Sequence, residues 1–414
     1  MSLKNISLDV DFVRSQFPAF KDPLTKKWSF FENAGGSYVP NAVINNLTTF
    51  MTSTKVQPYA EYEMSKIAGN KMDEAISVFA KMINAKNNEI LIGSSTTMNF
   101  YVLSNSFRKI LKSGDEVIVT NQDHEANISP WRRLEEKGIK IKEWKINNIT
   151  GELEIEKFEN LLSDKTKLVA VTHCSNIVGS INNLKLIADL SHKKGAYVIG
   201  DGVSYAPHGL PDVKKLDVDF YAFSLYKTYG PHLALLYGKE EILKKLPNQN
   251  HEFLIDQVPY TLNPGGPNHE ELVSLLGIYE YFESLYNHHY NEKETIVSKI
   301  NKINSLIDKH EEELANPLLE YINTRKDLKL IGKNKIINKN RAPTISFTHK
   351  TKSSKDLSNF LVLNKIATRN DNFYAWRCLK ALGIDTEDGV VRLSMIHYNT
   401  KEEIKNLIKI LDKY

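Results

Sequence analysis

Five short apolar runs in this chain are each closely followed by polar groups able to do chemistry. Lys227 follows Tyr221–Ser224, Asp201 follows Ala196–Gly200, and Asn176 follows Leu168–Thr172. His124 follows Glu116–Thr120, and Ser95, Thr96 and Thr97 follow Glu89–Gly93. A lysine amine can condense with an aldehyde cofactor and pass it to an amino acid by exchange. An acidic side chain can hold a ring nitrogen protonated, so that the ring draws electrons. An imidazole offers a flat face for stacking. Hydroxyls and backbone N–H groups at the start of a helix hold a phosphate, and Gly93-Ser-Ser-Thr-Thr with Ser224 supplies both.

Pyridoxal phosphate has all of these needs. Lys227 is then its Schiff-base lysine, Asp201 the partner of its ring nitrogen, and His124 its stacking face. Each residue alone also has an ordinary structural reading. A lone Asp after a strand caps a turn, and a lone Lys is a solvated surface group. Asp123-His124-Glu125 could simply open a helix, and Ser95–Thr97 could be N-capping residues. The order and spacing of the whole set favour the cofactor.

Positioning such a set requires a particular scaffold. Between residues 85 and 240 the spacing predicts strands at Glu89–Gly93, Glu116–Thr120, Ile139–Trp144, Leu168–Thr172, Ala196–Gly200, Asp219–Phe223 and Leu233–Tyr237. Helices are predicted between them at Asn99–Leu111, Ile128–Lys137, Leu153–Leu162 and Leu184–Lys194. Apolar strands alternating with helices imply an α/β fold, a largely parallel sheet covered by helices. Ligands of such sheets bind at the carboxyl ends of the strands, where the polar residues fall. Beyond residue 270, long helices at Glu270–Leu285 and Glu292–Glu313 precede mixed strands and helices. The expected organisation is a segment 1–20 packing with a small C-terminal α+β domain 291–414, and a large domain 21–290.

The 414 residues are 41% hydrophobic and 25% charged, enough to bury a sizeable core. Lys and Arg number 54 against 50 Asp and Glu, a balance that points to neither nucleic acid nor membrane partners. No run approaches the roughly 20 apolar residues of a membrane span. The two cysteines, Cys174 and Cys378, suit a reducing compartment, so a cytoplasmic location is expected. His288 and His289 are adjacent, and two adjacent histidines on a helix point to different faces, so no metal site is expected.

Longer motifs carry a resemblance. Asp201-Gly-Val-Ser204, Asp219-Phe-Tyr-Ala-Phe-Ser224-Leu-Tyr-Lys227-Thr-Tyr-Gly-Pro, Asp123-His-Glu-Ala-Asn-Ile-Ser-Pro-Trp131, Thr172-His-Cys-Ser-Asn176 and Val390-Val-Arg392-Leu-Ser with Tyr398-Asn-Thr400 occur in order. From about Phe30 onward the chain resembles class V aminotransferase-fold enzymes, above all cysteine desulfurases and selenocysteine lyases. Asp123-His-Glu-Ala-Asn127, Gly230-Pro-His232 and Asn268-His-Glu270 are closer to a desulfurase-like subgroup. The resemblance implies pyridoxal-phosphate fold type I, with a mostly parallel seven-stranded sheet and a smaller C-terminal domain. It implies that Lys227 carries the cofactor and shuttles the Cα proton, while His124 stacks on the ring. Asn176 meets the ring oxygen, and Ser95, Thr96, Thr97, Ser224 and Tyr226 surround the phosphate. Arg392 clamps the carboxylate of an amino-acid substrate, and Ala34 and Gly35 let it approach. Gly266 reaches the phosphate of a neighbouring subunit, so a homodimer is implied.

Four departures from the pattern bear on the reaction. Tyr226 stands for the histidine before the lysine, Ser204 for a glutamine facing the ring oxygen, and Gly266 for a threonine. Tyr374 stands where desulfurases carry a nucleophilic cysteine, and Cys378 lies four residues further on. The leading expectation is therefore carbon–sulfur or carbon–selenium cleavage of a cysteine-like amino acid without a persulfide relay. An aminotransferase or epimerase, and a true desulfurase using Cys378, stay open. Specificity is expected from the loops 55–70 and 250–265.

Overall fold

The computed structural model describes residues 6–414. Residues 1–5 of the predicted N-terminal segment lie outside the described residues. The central element is a seven-stranded sheet. Its strands are β1 (Ile90–Gly93), β2 (Glu116–Thr120), β3 (Lys140–Trp144), β4 (Thr166–Thr172), β5 (Tyr197–Asp201), β6 (Phe220–Ser224) and β7 (Ala234–Gly238). The spatial order is β1-β7-β6-β5-β4-β2-β3. All pairings are parallel except those of β7, which runs antiparallel to β6 and β1. The predicted α/β class and mostly parallel sheet are thus what the chain adopts, with strand limits within two residues of those read from the sequence.

The strand period of two explains why these runs are apolar throughout. Ile118, Val169, Val171, Val198, Tyr221 and Phe223 enter one core. Their neighbours Val117, Val119, Leu168, Ala170, Ile199, Phe220 and Ala222 enter another on the opposite face. Each large aliphatic side chain buried this way contributes about 1.5–3 kcal/mol before the entropy of ordering it. Helices cover both faces, so strand-end loops are the places where polar groups can collect.

Three predicted helices differ most from expectation. The stretch predicted as a helix over Ile128–Lys137 is a short α-helix, Ser129–Arg132, followed by a 3-10 helix, Arg133–Lys137. Pro130 sits in its first turn, and Gly138 ends it in a left-handed conformation at φ 75°. Glu270–Leu285 is two helices, His269–Ser274 and Leu276–His289. The helix expected to stop at Glu313 runs from Ile296 to Thr324 and carries Pro317 within it. Burial of Leu314, Leu318, Leu319 and Ile322 on one face outweighs the lost backbone bond.

That long helix links two cores. Ile300, Ile303, Leu306 and Ile307 pack with the large sheet. Leu314, Leu318, Leu319 and Ile322 pack with a second, antiparallel sheet. The second sheet consists of β8 (Leu328–Leu330), β9 (Thr344–His349), β10 (Arg369–Asp371) and β11 (Val390–Ser394), in the order β10-β11-β9-β8. Near the N-terminus, Phe17 packs edge-on against Tyr281 and Tyr398, while Arg14 donates to the Tyr398 carbonyl and pairs with Glu403. Residues 6–20 thereby touch both the helix Leu276–His289 and the C-terminal segment. No helix among the described residues is long and apolar enough to cross a membrane.

Candidate active site

The carboxyl ends of β1, β2, β4, β5 and β6 meet in one cavity. It is lined by Ser95, Thr96, Thr97, His124, Asn176, Asp201, Ser204, Ser224, Tyr226 and Lys227. All ten were singled out in the sequence. Thr172, Cys174, Ala126 and Val203 complete the wall; they fall within the quoted motifs but were assigned no binding role.

Lys227 ends the 3-10 turn Leu225–Lys227 that follows β6, and it is buried. Burial, then the charge of Arg392, pushes its ammonium down to about 8. A fraction of it is therefore the free amine near neutral pH, the form that attacks a carbonyl. The turn is held by Ser37, whose N–H donates to the Tyr226 carbonyl at 3.1 Å. The Ser37 hydroxyl also accepts from the Tyr229 N–H at 2.9 Å.

Asp201 is the last residue of β5, and its Oδ1 accepts from the Val203 N–H at 2.9 Å. Burial raises its carboxyl to about 6, against the opposing pull of that N–H and of Lys227. A buried carboxylate with one backbone partner has spare acceptor capacity. His124 caps the turn Glu125–Asn127, with Nδ1 accepting from the Ala126 N–H at 3.0 Å. Its proton then sits on Nε2. Burial pushes the imidazole down to about 3, so the ring is neutral. Thr96 and Ser224 share a hydrogen bond at 2.8 Å, and Ser95 caps the helix Thr96–Ile110. Two hydroxyls and a helix N-terminus therefore converge at one end of the cavity. Tyr226 stacks on His232, with ring centroids 4.7 Å apart, and its ring centroid is 5.8 Å from the Lys227 Nζ.

The small sheet adjoins the cavity through Asn176. Arg392, on β11, is buried and lies 3.6 Å from the Phe373 ring centroid. Its Nη1 donates to the Asn176 carbonyl at 3.3 Å, while its Nε has no partner. Burial pushes the guanidinium down to about 9. Asn176 donates to the Phe373 carbonyl at 2.9 Å, and its Oδ1 has no partner. Buried polar atoms are rarely left open, so these two mark places for ligand atoms. Ala34 donates its N–H to the Ser394 hydroxyl at 2.8 Å, two residues beyond Arg392. Gly35 is exposed beside Glu32, and a Cβ there would lie 2.8 Å from the Glu32 Oε1.

Other sequence candidates lie elsewhere. Gly266 is an exposed loop residue with φ 71° and does not line the cavity of this chain. The loops expected to set specificity do not line it either. Gln57–Tyr59 and Pro259, Tyr260 and Asn263 border a separate apolar pocket. Among the described residues no group of three or more His, Cys, Asp or Glu gathers as metal ligands.

Both thiols are buried. Cys378 is fully buried on the helix Trp376–Ala381, within a core that includes Ile177, Val178 and Leu379. Cys174 is buried with its Sγ toward the Gly179 carbonyl at 3.5 Å. Burial pushes both up to about 12, the opposite of what a reactive thiolate needs. Tyr374 instead stands at the mouth. It is 65% exposed, with its ring 5.2 Å from that of His124. Its left-handed backbone, φ 59°, is fastened by the Glu125 N–H, which donates to its carbonyl at 2.8 Å.

Residues 29–407 match the family model for aminotransferase class-V. An aminotransferase-like protein of Gibberella zeae is 37% identical over 419 residues, covering 99% of this chain and 99% of its own length. A cysteine desulfurase-like protein of Aspergillus flavus is 32% identical, covering 99% of this chain and 91% of its own. Among solved structures, a cysteine desulfurase from Thermococcus onnurineus superposes with a TM-score of 0.83 at 24% identity, over 100% of this chain and 99% of that one.

Proposed function

The chain belongs to the class-V aminotransferase family of pyridoxal-phosphate enzymes, and we propose that it cleaves a carbon–sulfur or carbon–selenium bond of a cysteine-like amino acid without a persulfide relay. The observation that carries this reading is the pairing of Tyr374 at the mouth with two inert thiols. The residues fit the cofactor. Lys227 is buried and readily deprotonated, Asp201 has acceptor capacity to spare, and Thr96 and Ser224 converge at a helix start. Lys227 would anchor the aldehyde carbon, Asp201 the ring nitrogen, His124 the ring face and Asn176 the ring oxygen. Ser95, Thr96, Thr97, Ser224 and Tyr226 would surround the phosphate, with Ser204 beside the ring.

Bound there, pyridoxal phosphate supplies an electron sink that acidifies the substrate's Cα–H. Arg392 holds the α-carboxylate through its planar fork, with the open Nε completing the pair. That grip fixes which Cα bond stands across the ring. The Lys227 Nζ takes the Cα proton and later returns it to the product. The neutral His124 excludes water from one ring face. In net terms L-cysteine and water become pyruvate, ammonia and hydrogen sulfide, so no oxidant, reductant or thiol acceptor is required. Gly265–Asn268 is the segment we assign to the cofactor phosphate of a second subunit, and we propose a homodimer on that basis.

Incubation of the purified protein with L-cysteine, cystine and thioether conjugates tests the reading by release of a keto acid and sulfide. No keto acid from any of them sinks it. A second reading is favoured by the aminotransferase-like relative from Gibberella zeae. Transamination would convert the cofactor to its amine form in a single half-reaction, without free ammonia.

A further inference from the structure

The motif Asp123-His-Glu-Ala-Asn127 carries one acid that the cofactor site does not use. Glu125 follows the stacking His124 and opens the turn Glu125–Asn127. It grips the Tyr374 segment twice. Its N–H donates to the Tyr374 carbonyl at 2.8 Å. Its Oε2 accepts from the Arg377 Nε at 3.2 Å, and its Oε1 from the Ser129 hydroxyl at 2.6 Å. The side chains of Arg377 and Glu125 are only 25% and 24% exposed, so solvent and salt screen this pair less than one on the open surface. The Arg377 guanidinium also stacks on Trp376, 4.4 Å from its ring centroid.

What the pair holds is a strained segment. Phe373 and Tyr374 are consecutive residues in the left-handed region, at φ 50° and 59°. Bulky side chains are outliers there, and such a conformation persists only where its surroundings impose it. Within the segment, the Asn372 side chain accepts from the Tyr374 N–H at 3.0 Å. The remaining ties come from the loops that follow β4 and β2. Asn176 donates to the Phe373 carbonyl at 2.9 Å, and Glu125 donates to that of Tyr374. Arg377 lies three residues beyond Tyr374. The strained residues are thus tied down before and after, by Asn176 and by the ion pair. The helix Trp376–Ala381 is anchored separately by the buried Cys378 and Leu379, so loss of the pair loosens the mouth without unfolding the helix.

We propose that Glu125 and Arg377 are positioning residues that hold the Tyr374 ring beside His124 as the lip of the amino-acid site. The turn that presents the stacking imidazole then also sets the opening above it, where the two rings lie 5.2 Å apart. The pair acts through Tyr374. This rests on Tyr374 as the mouth residue of the function proposed above, and not on which bond is cleaved. The test is a titration of the holoenzyme's visible absorbance with L-cysteine and L-alanine. In Arg377→Met, which keeps the length of the side chain and removes the fork, half-saturation should rise about fivefold, with kcat for L-cysteine within about twofold. Arg377→Lys should recover part of the loss. In a Tyr374→Gly background, Arg377→Met should add less than about 1.5-fold, because an effect routed through a residue is lost with that residue. A purely structural pair would lower Tm and leave half-saturation unchanged, or would add its full effect to that of Tyr374→Gly; either result overturns the proposal. A second readout needs no amino acid. Hydroxylamine exchanges with Lys227 at the cofactor's aldehyde carbon and releases the free amine, so its rate reports access through the mouth. That rate should rise at least about threefold in both Arg377→Met and Glu125→Gln; rates equal to that of the unaltered protein also overturn it. If half-saturation shifts as stated but no keto acid forms, the cleavage reading fails and the positioning role stands. If no amino acid shifts the band, the hydroxylamine rates decide the role of the pair.

Discussion

The two walls of the cavity are built differently. The large-sheet wall takes its groups from strand ends, so parallel topology alone brings Lys227, Asp201, His124, Asn176 and Ser224 together. The small-domain wall takes its groups from the segment Asn372–Tyr374 and from strands β10 and β11, which adjoin the cavity through Asn176 and His124, while the long helix Ile296–Thr324 packs with both cores. On the first wall a lysine lowered to about 8 and a carboxylate raised to about 6 surround a place for a ring. On the second wall stand two guanidiniums, a phenyl ring and a tyrosine. The first is equipped to hold a cofactor whatever the substrate. Under the proposed function the second would meet the substrate, so changes there should redirect the reaction while the frame stays the same.

If the walls divide the work this way, damage to the first should abolish everything. Lys227→Ala removes both the anchor and the base, so turnover of every amino acid should fall by at least about a thousandfold, and the visible cofactor band should be lost. A variant that kept the band and a tenth of its rate would break the division of labour.

Asp201 makes a pH-dependent test of the same wall. Its carboxyl is raised from the ordinary 3.8 to about 6 when the site is empty of cofactor. Between those values the folded protein holds a proton that the unfolded chain has lost. Stability of the cofactor-free protein therefore falls as pH rises from about 4 to about 6 and stays lowered above, by an amount bounded at about 3 kcal/mol. A protonated ring nitrogen beside Asp201 removes that penalty. The thermal stabilisation given by pyridoxal phosphate should therefore grow across that window, and Asp201→Asn should flatten the growth. Melting curves with and without cofactor measure it, and parallel curves for the two proteins contradict the assignment.

The same contrast explains what was legible in the sequence. Strand-end residues were readable because an apolar run, a period of two and a polar residue after it are local signals. The helix limits were missed where non-local burial overrode a local signal, as at Pro317. Phe373 under Arg392, and Arg369 opposite it, are products of strand register. No run of residues announces register between strands more than 20 positions apart. Cys378 illustrates both sides: its offset of four residues from Tyr374 is legible in the sequence, but the burial that disarms its thiol is a tertiary fact.

Smaller effects should come from the second wall. Tyr374 already occupies a left-handed backbone, so Tyr374→Gly removes the ring without straining the chain. Opening the mouth over His124 should lower kcat/KM about tenfold for the preferred substrate, while the cofactor band keeps its intensity. A loss of the band with the ring would mean that Tyr374 belongs to the cofactor wall.

Cys378→Ser should have the smallest effect on activity and is the sharpest test of the missing relay. The thiol sits in a core lined by Ile177, Val178, Ala375 and Leu379. Replacing it with a hydroxyl places a polar group there and should destabilise the fold by about 1–3 kcal/mol, visible as a lower Tm. Sulfide release per folded molecule should stay within about twofold, because a group held up near 12 by burial contributes almost no thiolate at neutral pH. The two readouts separate the roles. A packing residue moves Tm and spares the rate, whereas loss of a persulfide carrier abolishes sulfide release together with the alanine that a relay would form. Loss of sulfide at unchanged Tm would return Cys378 to the mechanism and make the second wall a desulfurase wall after all.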